Sequence, residues 1–160
     1  MQTLTRTLSS APVLLGLFAL AASQVARAAD EPVKGEVLVI LAKEADGAYD
    51  PKLKQIPALQ QPPFSAFKSM TVLSTTAIEL TADKDVSVAL PNGSTLHLKL
   101  LERMADGRHK VQATITEPGK QEPRLTMIAI ASSEPFFIAG QKHEGGKLVI
   151  GVRATGGAKK

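Results

Sequence analysis

The chain has 160 residues and no cysteine. This absence excludes disulfide bonds, thiol catalysis and metal sites built from thiolates. It also excludes a lipid anchor carried on cysteine. An exported domain without disulfides must be held by its packed core, which fits a bacterial envelope or secreted protein better than a eukaryotic extracellular module.

Aromatic and clustered basic residues are also scarce. The chain has no tryptophan, one tyrosine and five phenylalanines, and its only basic pair of note is Lys159-Lys160. A nucleic-acid-binding domain needs a basic stripe, usually with aromatic side chains on which bases stack. We therefore expect no nucleic-acid partner.

The N-terminus has the features of a secretory signal peptide. Arg6 gives a positive start, residues 11–22 are uncharged and mostly apolar, and Ala26 and Ala28 match the pattern that signal peptidase accepts. We predict cleavage near Ala28, with a periplasmic or secreted product. A retained anchor is the alternative, but the apolar run is shorter than the roughly 20 residues of a membrane helix.

The remaining chain is predicted to form one β-rich domain over residues 29–154, without a transmembrane segment, followed by a disordered tail at 155–160. Cleavage removes Arg6 and Arg27, which lowers the formal net charge from +4 to +2. The length suffices for one domain with a modest core.

The predicted fold class is α+β: a mostly antiparallel sheet of about eight or nine strands with one short helix near 51–61. Asp50-Pro51 is a typical helix start, and Leu53, Ile56 and Leu59 follow at helical spacing. Pro57 indicates a kink. The apolar run at 36–42 is typical of a strand buried on both faces, and the further predicted strands are 67–73, 76–81, 85–90, 94–103, 108–116, 124–131, 135–139 and 147–153.

Two hairpins can be predicted in register. In the first, a three-residue loop at Pro91-Asn92-Gly93 pairs Val88 with Leu96 and brings the apolar faces together. In the second, a two-residue turn at Asp106-Gly107 pairs Leu98 with Ile115, Leu100 with Ala113 and Met104 with His109. One face of this three-stranded meander is then predicted to be core: Val86, Val88, Leu90, Leu96, Leu98, Leu100, Val111, Ala113 and Ile115.

No catalytic constellation is found, so we expect a protein that is not an enzyme and holds no cofactor. The chain lacks the G-x-S-x-G motif, and Gly93-Ser94 falls in the first hairpin turn. The predicted register places Glu102 on the core side, opposite Val111. A buried carboxylate there could act as a general acid, although a position at the open rim of the hairpin, in contact with water, is the preferred interpretation.

His97, His109 and His143 are the candidate metal ligands. Their spacing matches neither the i, i+4 pattern of a helix nor the H-x-H pattern of a strand, so the preferred interpretation is three ordinary histidines. His97 is predicted on the polar face opposite Ser87. A small-ligand or metal carrier using these histidines is the alternative function.

Four segments resemble a group of small exported bacterial proteins of unknown function: Pro63–Lys68, Leu90–Gly93, Phe136–Gln141 and Gly145–Val152. The similarity covers most of the mature chain and consists mainly of turn and strand residues. It implies a β-rich envelope domain and brings no catalytic residues.

The leading functional hypothesis is an envelope protein that binds another protein, as an interaction or accessory module. Open sheet edges could accept a partner strand. Phe136 and Phe137 form a candidate contact patch. The alternative for this pair is that one ring faces the core while the other packs against the predicted helix.

Overall fold

The computed structural model describes residues 31–154. The predicted signal peptide and the predicted tail lie outside these residues. The described part contains eight strands: β1 (Val33–Lys43), β2 (Ser69–Leu80), β3 (Val86–Ala89), β4 (Thr95–Arg103), β5 (His109–Thr116), β6 (Pro123–Ala131), β7 (Phe136–His143) and β8 (Gly146–Ala154).

The strands form two antiparallel sheets of four strands each. The first sheet has the order β2-β1-β8-β7, and the second has the order β3-β4-β5-β6. Alternate residues on the inner faces of both sheets pack together into the main core. Its fully buried larger side chains include Val33, Val37, Leu80, Leu96, Leu98, Ile115, Leu148 and Ile150.

The prediction of a mostly β fold is confirmed, but the prediction of an α-helix near 51–61 is wrong. Short 3-10 turns at Leu53–Gln55, Pro57–Gln60 and Phe64–Ala66 replace it. Ile56 precedes a proline and is extended, with φ −96° and ψ 104°. A residue before proline avoids the helical conformation because the proline ring clashes with it. Although Leu53, Ile56 and Leu59 have helical spacing, they do not form one helix, because Pro57 keeps Ile56 out of the helical conformation.

Residues 53–66, which contain these three turns and are called the turn segment below, have a structural role on the outer face of the first sheet. Leu53 and Leu59 are buried there against Ile40, Met70 and Val149, forming a second apolar cluster. The central strands of this sheet are therefore covered on both sides. This confirms the prediction for the run at 36–42, in which four consecutive residues from 39 to 42 are buried.

The predicted strands 67–73 and 76–81 are one continuous strand, β2. Its pairing with β1 shifts between Val39 and Ile40, so Leu73 is left over as a bulge residue. A bulge lets one long strand bend without a turn. The polar residues between the two predicted strands lie within this single strand.

The first hairpin has the predicted register. Val88 pairs with Leu96, and Val86 pairs with Leu98. The Leu90 N–H donates to the Ser94 carbonyl oxygen at 2.8 Å. Gly93 has a φ of 83°, the left-handed conformation predicted for the bulge residue.

The second hairpin uses the same three-residue loop, so its predicted register is wrong. The Met104 N–H donates to the Arg108 carbonyl oxygen at 2.8 Å, and Gly107 has a φ of 84°. The observed pairs are Leu98–Ala113, Leu100–Val111 and Arg103–His109. At the apolar positions the error is two residues, which leaves every side chain on its predicted face. Of the predicted core face, all but the half-buried Val86 are buried.

The register that places Glu102 on the core side is also wrong, whereas the preferred interpretation, a carboxylate in contact with water, is confirmed. A bulge between Leu100 and Glu102 adds Leu101 to β4 and reverses the alternation beyond it. Leu101 and Glu102 are both exposed as a result. The Glu102 carboxylate lies 3.4 Å from the Lys110 ammonium, so it is paired at the surface and has no general-acid environment.

Candidate functional site

The two phenylalanines of the candidate contact patch lie on opposite faces of β7. Phe136 is half-buried and packs against the main core. Phe137 packs on the other side, where its ring meets Phe64 edge to face with centroids 5.6 Å apart. This placement agrees with the alternative stated for the pair, except that Phe137 packs on the turn segment and not on an α-helix.

The three histidines are placed apart from one another. His97 lies on the outer face of the second sheet, where its Nδ1 is 2.9 Å from the Ser87 hydroxyl oxygen, and Ser87 is its predicted partner across the strands. His143 ends β7, with its Nε2 3.8 Å from a carboxylate oxygen of Glu144. His109 is the first residue of β5, in the hairpin between β4 and β5.

His109 is the most buried of the three, with 3% of its surface exposed. Burial lowers its pKa because an imidazolium loses solvation, and the nearby Arg103 lowers it further. Nδ1 of His109 and Nε of Arg103 are buried without a hydrogen-bond partner among the described residues. Neutral imidazole is the form that binds a metal ion, but the permanent positive charge of Arg103 beside His109 opposes a second cation there.

Among residues 31–154, no group of three or more histidine, aspartate and glutamate side chains is arranged to hold a metal ion. The spacing of the histidines along the chain matches no metal-binding pattern, and the sheet topology places them in different parts of the fold. The described part of the chain therefore offers the carrier hypothesis no assembled site.

Surface depressions among residues 31–154 remain as candidate sites. One of about 630 Å³ lies at the β7–β8 turn and is lined by charged side chains, including Lys43, Glu44 and Lys147. The Lys147 ammonium is 3.9 Å from the Glu44 carboxylate and 5.8 Å from the centre of the Phe67 ring. Because Lys147 and Glu44 are largely exposed, their ion pair is weak and gives this depression no rigid recognition geometry.

A second depression of about 480 Å³ lies where the first hairpin meets the loop before β6. Glu117 forms ion pairs with both Lys120 and Arg124. Hydrogen bonds from these two side chains, with the larger effect from Lys120, hold the pKa of the Glu117 carboxyl below its usual range. This carboxylate is already satisfied by two cations. The depression is explained as a surface ion-pair network.

The third depression is a groove of about 490 Å³ on the outer face of the first sheet. Its floor is formed by Leu38 of β1, Val72 of β2 and Gly151 of β8. The turn segment forms one wall, through Leu53 and Ile56. The groove exists because the turn segment covers only part of the sheet, so the apolar surface continues past its edge.

The rim of the groove carries both signs of charge. Arg153 and Glu36 are directly opposite one another on β8 and β1, and their side chains form an ion pair at 3.0 Å. Asp50 and Lys52 lie at the wall, where the Asp50 carboxylate accepts a hydrogen bond from the Lys52 N–H at 2.9 Å. An apolar floor with a few fixed polar groups is the usual composition of a binding groove.

Phe137 is next to this groove through Gly151. A Cβ on Gly151 would lie 2.7 Å from Cε1 of Phe137, so the ring occupies the space of the absent side chain. Gly151 lines the groove and lets the ring lie close to the strand. The sequence predicts Phe137 as a candidate contact residue but not the groove beside it, because the groove depends on how much of the sheet the turn segment covers.

Within residues 31–154, no helix has the length and apolar character needed to cross a membrane. The chain matches no protein-family model, no curated protein and no solved structure.

Proposed function

We propose that this chain is an exported bacterial envelope protein that acts without catalysis, by binding an extended apolar segment of another envelope protein in the groove on its first sheet. The observation that carries this proposal is the apolar floor beside the turn segment, bounded by the Arg153–Glu36 ion pair. The signal-peptide pattern of the N-terminal sequence supports the location.

The floor favours an apolar occupant. Leu38, Val72 and Ile56 are only partly buried, although they pack against the second apolar cluster. Side chains placed over them would remove further apolar surface from water, at roughly 25 cal/mol per Å². A partner residue of the leucine or phenylalanine type suits this floor.

The rim favours a peptide over a charged small molecule. A site for an anion or a cation would concentrate one sign of charge, whereas this rim has an arginine paired with a glutamate and an aspartate near a lysine. Such a mixed rim can bind both the N–H and the C=O groups of an extended backbone.

Site-specific photocrosslinking in intact cells tests the proposal. A photoreactive residue placed at Thr75 or Gln55, both exposed and both lining the groove, is expected to give one discrete adduct with an envelope protein. The matched control is the same residue at Lys99, which is exposed on the second sheet.

A blocking variant makes the test specific. Thr75→Arg fills the groove from an exposed position, so it should abolish the adduct formed from Gln55 without changing stability. The proposal is wrong if the groove positions crosslink no better than Lys99, or if Thr75→Arg leaves the Gln55 adduct unchanged.

A further inference from the structure

β6 forms an open edge of the second sheet. Within residues 31–154 it pairs with β5 alone. The hydrogen-bonded pair at Leu90 and Ser94 fixes the alternation across β3, β4 and β5, because hydrogen-bonded and non-bonded pairs alternate in antiparallel ladders. It follows that Thr126, Ile128 and Ile130 direct their N–H and C=O groups away from β5, towards the open side.

The other three sheet edges have features that oppose pairing. β3 has only four residues. β7 has a register shift at Gly140 and a lysine at position 142. On β2, Met70 is already hydrogen-bonded to the backbone at Ala48 and Asp50. Short length, bulges, charges and covering loops are the usual ways in which proteins protect edges.

β6 has none of this protection in its centre. Residues 125–133 have no charged side chain, and Ile128 and Ile130 are 58% and 38% exposed. This open stretch is limited at both ends. At its start, the pairing with β5 shifts between Ile115 and Thr116, which makes Arg124 a bulge residue. At its end, the Ser132 carbonyl oxygen already accepts a hydrogen bond from the Ala154 N–H. Ile128 is midway between these two limits.

We propose that β6 pairs with β6 of a second copy of this chain, antiparallel, with the two-fold axis at Ile128. This register pairs Ile128 with its own copy and Thr126 with Ile130 of the partner. It uses all three outward-facing residues and forms about six backbone hydrogen bonds. The two second sheets then join into one sheet of eight strands.

The symmetry of the open stretch supports a second copy as the occupant. Its two limits, Arg124 and Ser132, are equally distant from Ile128, so an antiparallel copy centred on Ile128 fills the whole stretch and ends at the same limits. The apolar centre meets an identical apolar centre, and the interface is self-complementary, as a two-fold dimer requires. The groove on the first sheet is left open, so the proposed function does not depend on this dimer.

Because the chain has no cysteine, single introduced thiols report the register directly. In the proposed pairing the two Ile128 Cα atoms are about 5.5 Å apart, within the span of a disulfide. The two Thr126 residues are offset by about 13 Å along the strands. Oxidation should therefore crosslink the purified Ile128→Cys protein, but not Thr126→Cys or Ile130→Cys alone. A mixture of those two variants should give a disulfide-linked heterodimer.

Analytical ultracentrifugation of the unmodified protein completes the test. We expect a dimer that Ile128→Lys converts to monomer, because two ammonium groups would meet at the axis. Leu73→Lys, at a similarly exposed leucine of β2, should leave the dimer intact. A monomer up to about 100 µM, or disulfides from Thr126→Cys alone, would overturn the proposal. Circular dichroism of Ile128→Lys separates loss of pairing from loss of fold.

Discussion

The two sheets of this molecule differ in what covers their outer faces. On the first sheet, the turn segment buries Ile40, Met70 and Val149. On the second sheet, the outer face is uncovered: it is polar on β4 and β5, with His97, Lys99 and Gln112, and carries the exposed Ile128 and Ile130 on β6. The cover ends partway along the first sheet, and the proposed groove lies at that boundary.

The difference is visible in the strands themselves. β8 is buried at five consecutive residues from 148 to 152, whereas β5 alternates between buried and half-buried residues along its whole length. A strand covered on both faces needs apolar residues at every position, and a strand covered on one face needs them at every second position. The arrangement of the layers is thus partly encoded in residue order.

The largest effect is expected where the turn segment is anchored. Leu59→Ala should lower the free energy of unfolding by about 2–5 kcal/mol, because Leu59 is completely buried and its removal leaves a cavity. Leu101→Ala, at an exposed leucine of the uncovered face, should cost less than about 0.5 kcal/mol. Urea denaturation measures both. Equal effects would show that the turn segment is not part of the cooperative core.

Sequence alone could predict the strands and the inward face of the second sheet, because alternation and turn residues are local signals. It could not predict the bulge at Leu101, since a leucine is compatible with either face. The helical spacing of Leu53, Ile56 and Leu59 is real, but it reflects three contacts made by separate turns. The groove was not predictable either, because its wall at Leu53 and Ile56 depends on where the turn segment lies on the sheet.

For the candidate site residues too, the sequence shows the residue type but not the position in the fold. Phe137 was identified by its aromatic neighbour and lies beside the groove only because Gly151 leaves room for its ring. The histidines were identified by residue type alone, and residue type does not determine which sheet or face a strand occupies. Their spacing argued against a shared metal site, but only the strand topology shows where each histidine lies.

The second-largest effect is expected at the contact between Gly151 and the Phe137 ring, on the covered face of the first sheet. Gly151→Ala places a methyl group 2.7 Å from Cε1 of Phe137, so we expect a loss of about 1–3 kcal/mol in unfolding free energy. Phe137→Leu in the same chain should recover part of it, because the smaller side chain leaves space. A double-mutant cycle by urea denaturation measures the coupling. Purely additive effects would contradict a direct clash between residue 151 and the ring.

His109 links stability to pH at the end of the core. Its folded pKa lies below the ordinary value of 6.5, so in the acid range the unfolded chain binds the proton more readily than the folded chain. Stability is therefore full above pH 6.5 and falls as the pH drops below it, with a slope of at most about 1.4 kcal/mol per pH unit from this residue. His109→Gln should flatten this region of the pH profile when the unfolding free energy is measured by urea denaturation at a series of pH values. An unchanged slope in His109→Gln would assign the dependence to other groups.

The smallest effect is expected at the surface of the uncovered face. Lys110 and Glu102 form an ion pair at 3.4 Å, with about half of each side chain in water (43% and 61% exposed). Solvent screening and the freedom of both side chains limit such pairs to about 0–1 kcal/mol. Lys110→Met removes the charge, keeps most of the aliphatic stem and adds apolar surface beside Ile130, its neighbour across the strands. Urea denaturation of a dilute sample, which keeps any pairing of copies from contributing, should show little change. A loss of unfolding free energy above about 1 kcal/mol would mean that this ion pair helps to hold the second sheet together. The contrast between the covered and the uncovered face would then be weaker than the burial patterns of their strands indicate.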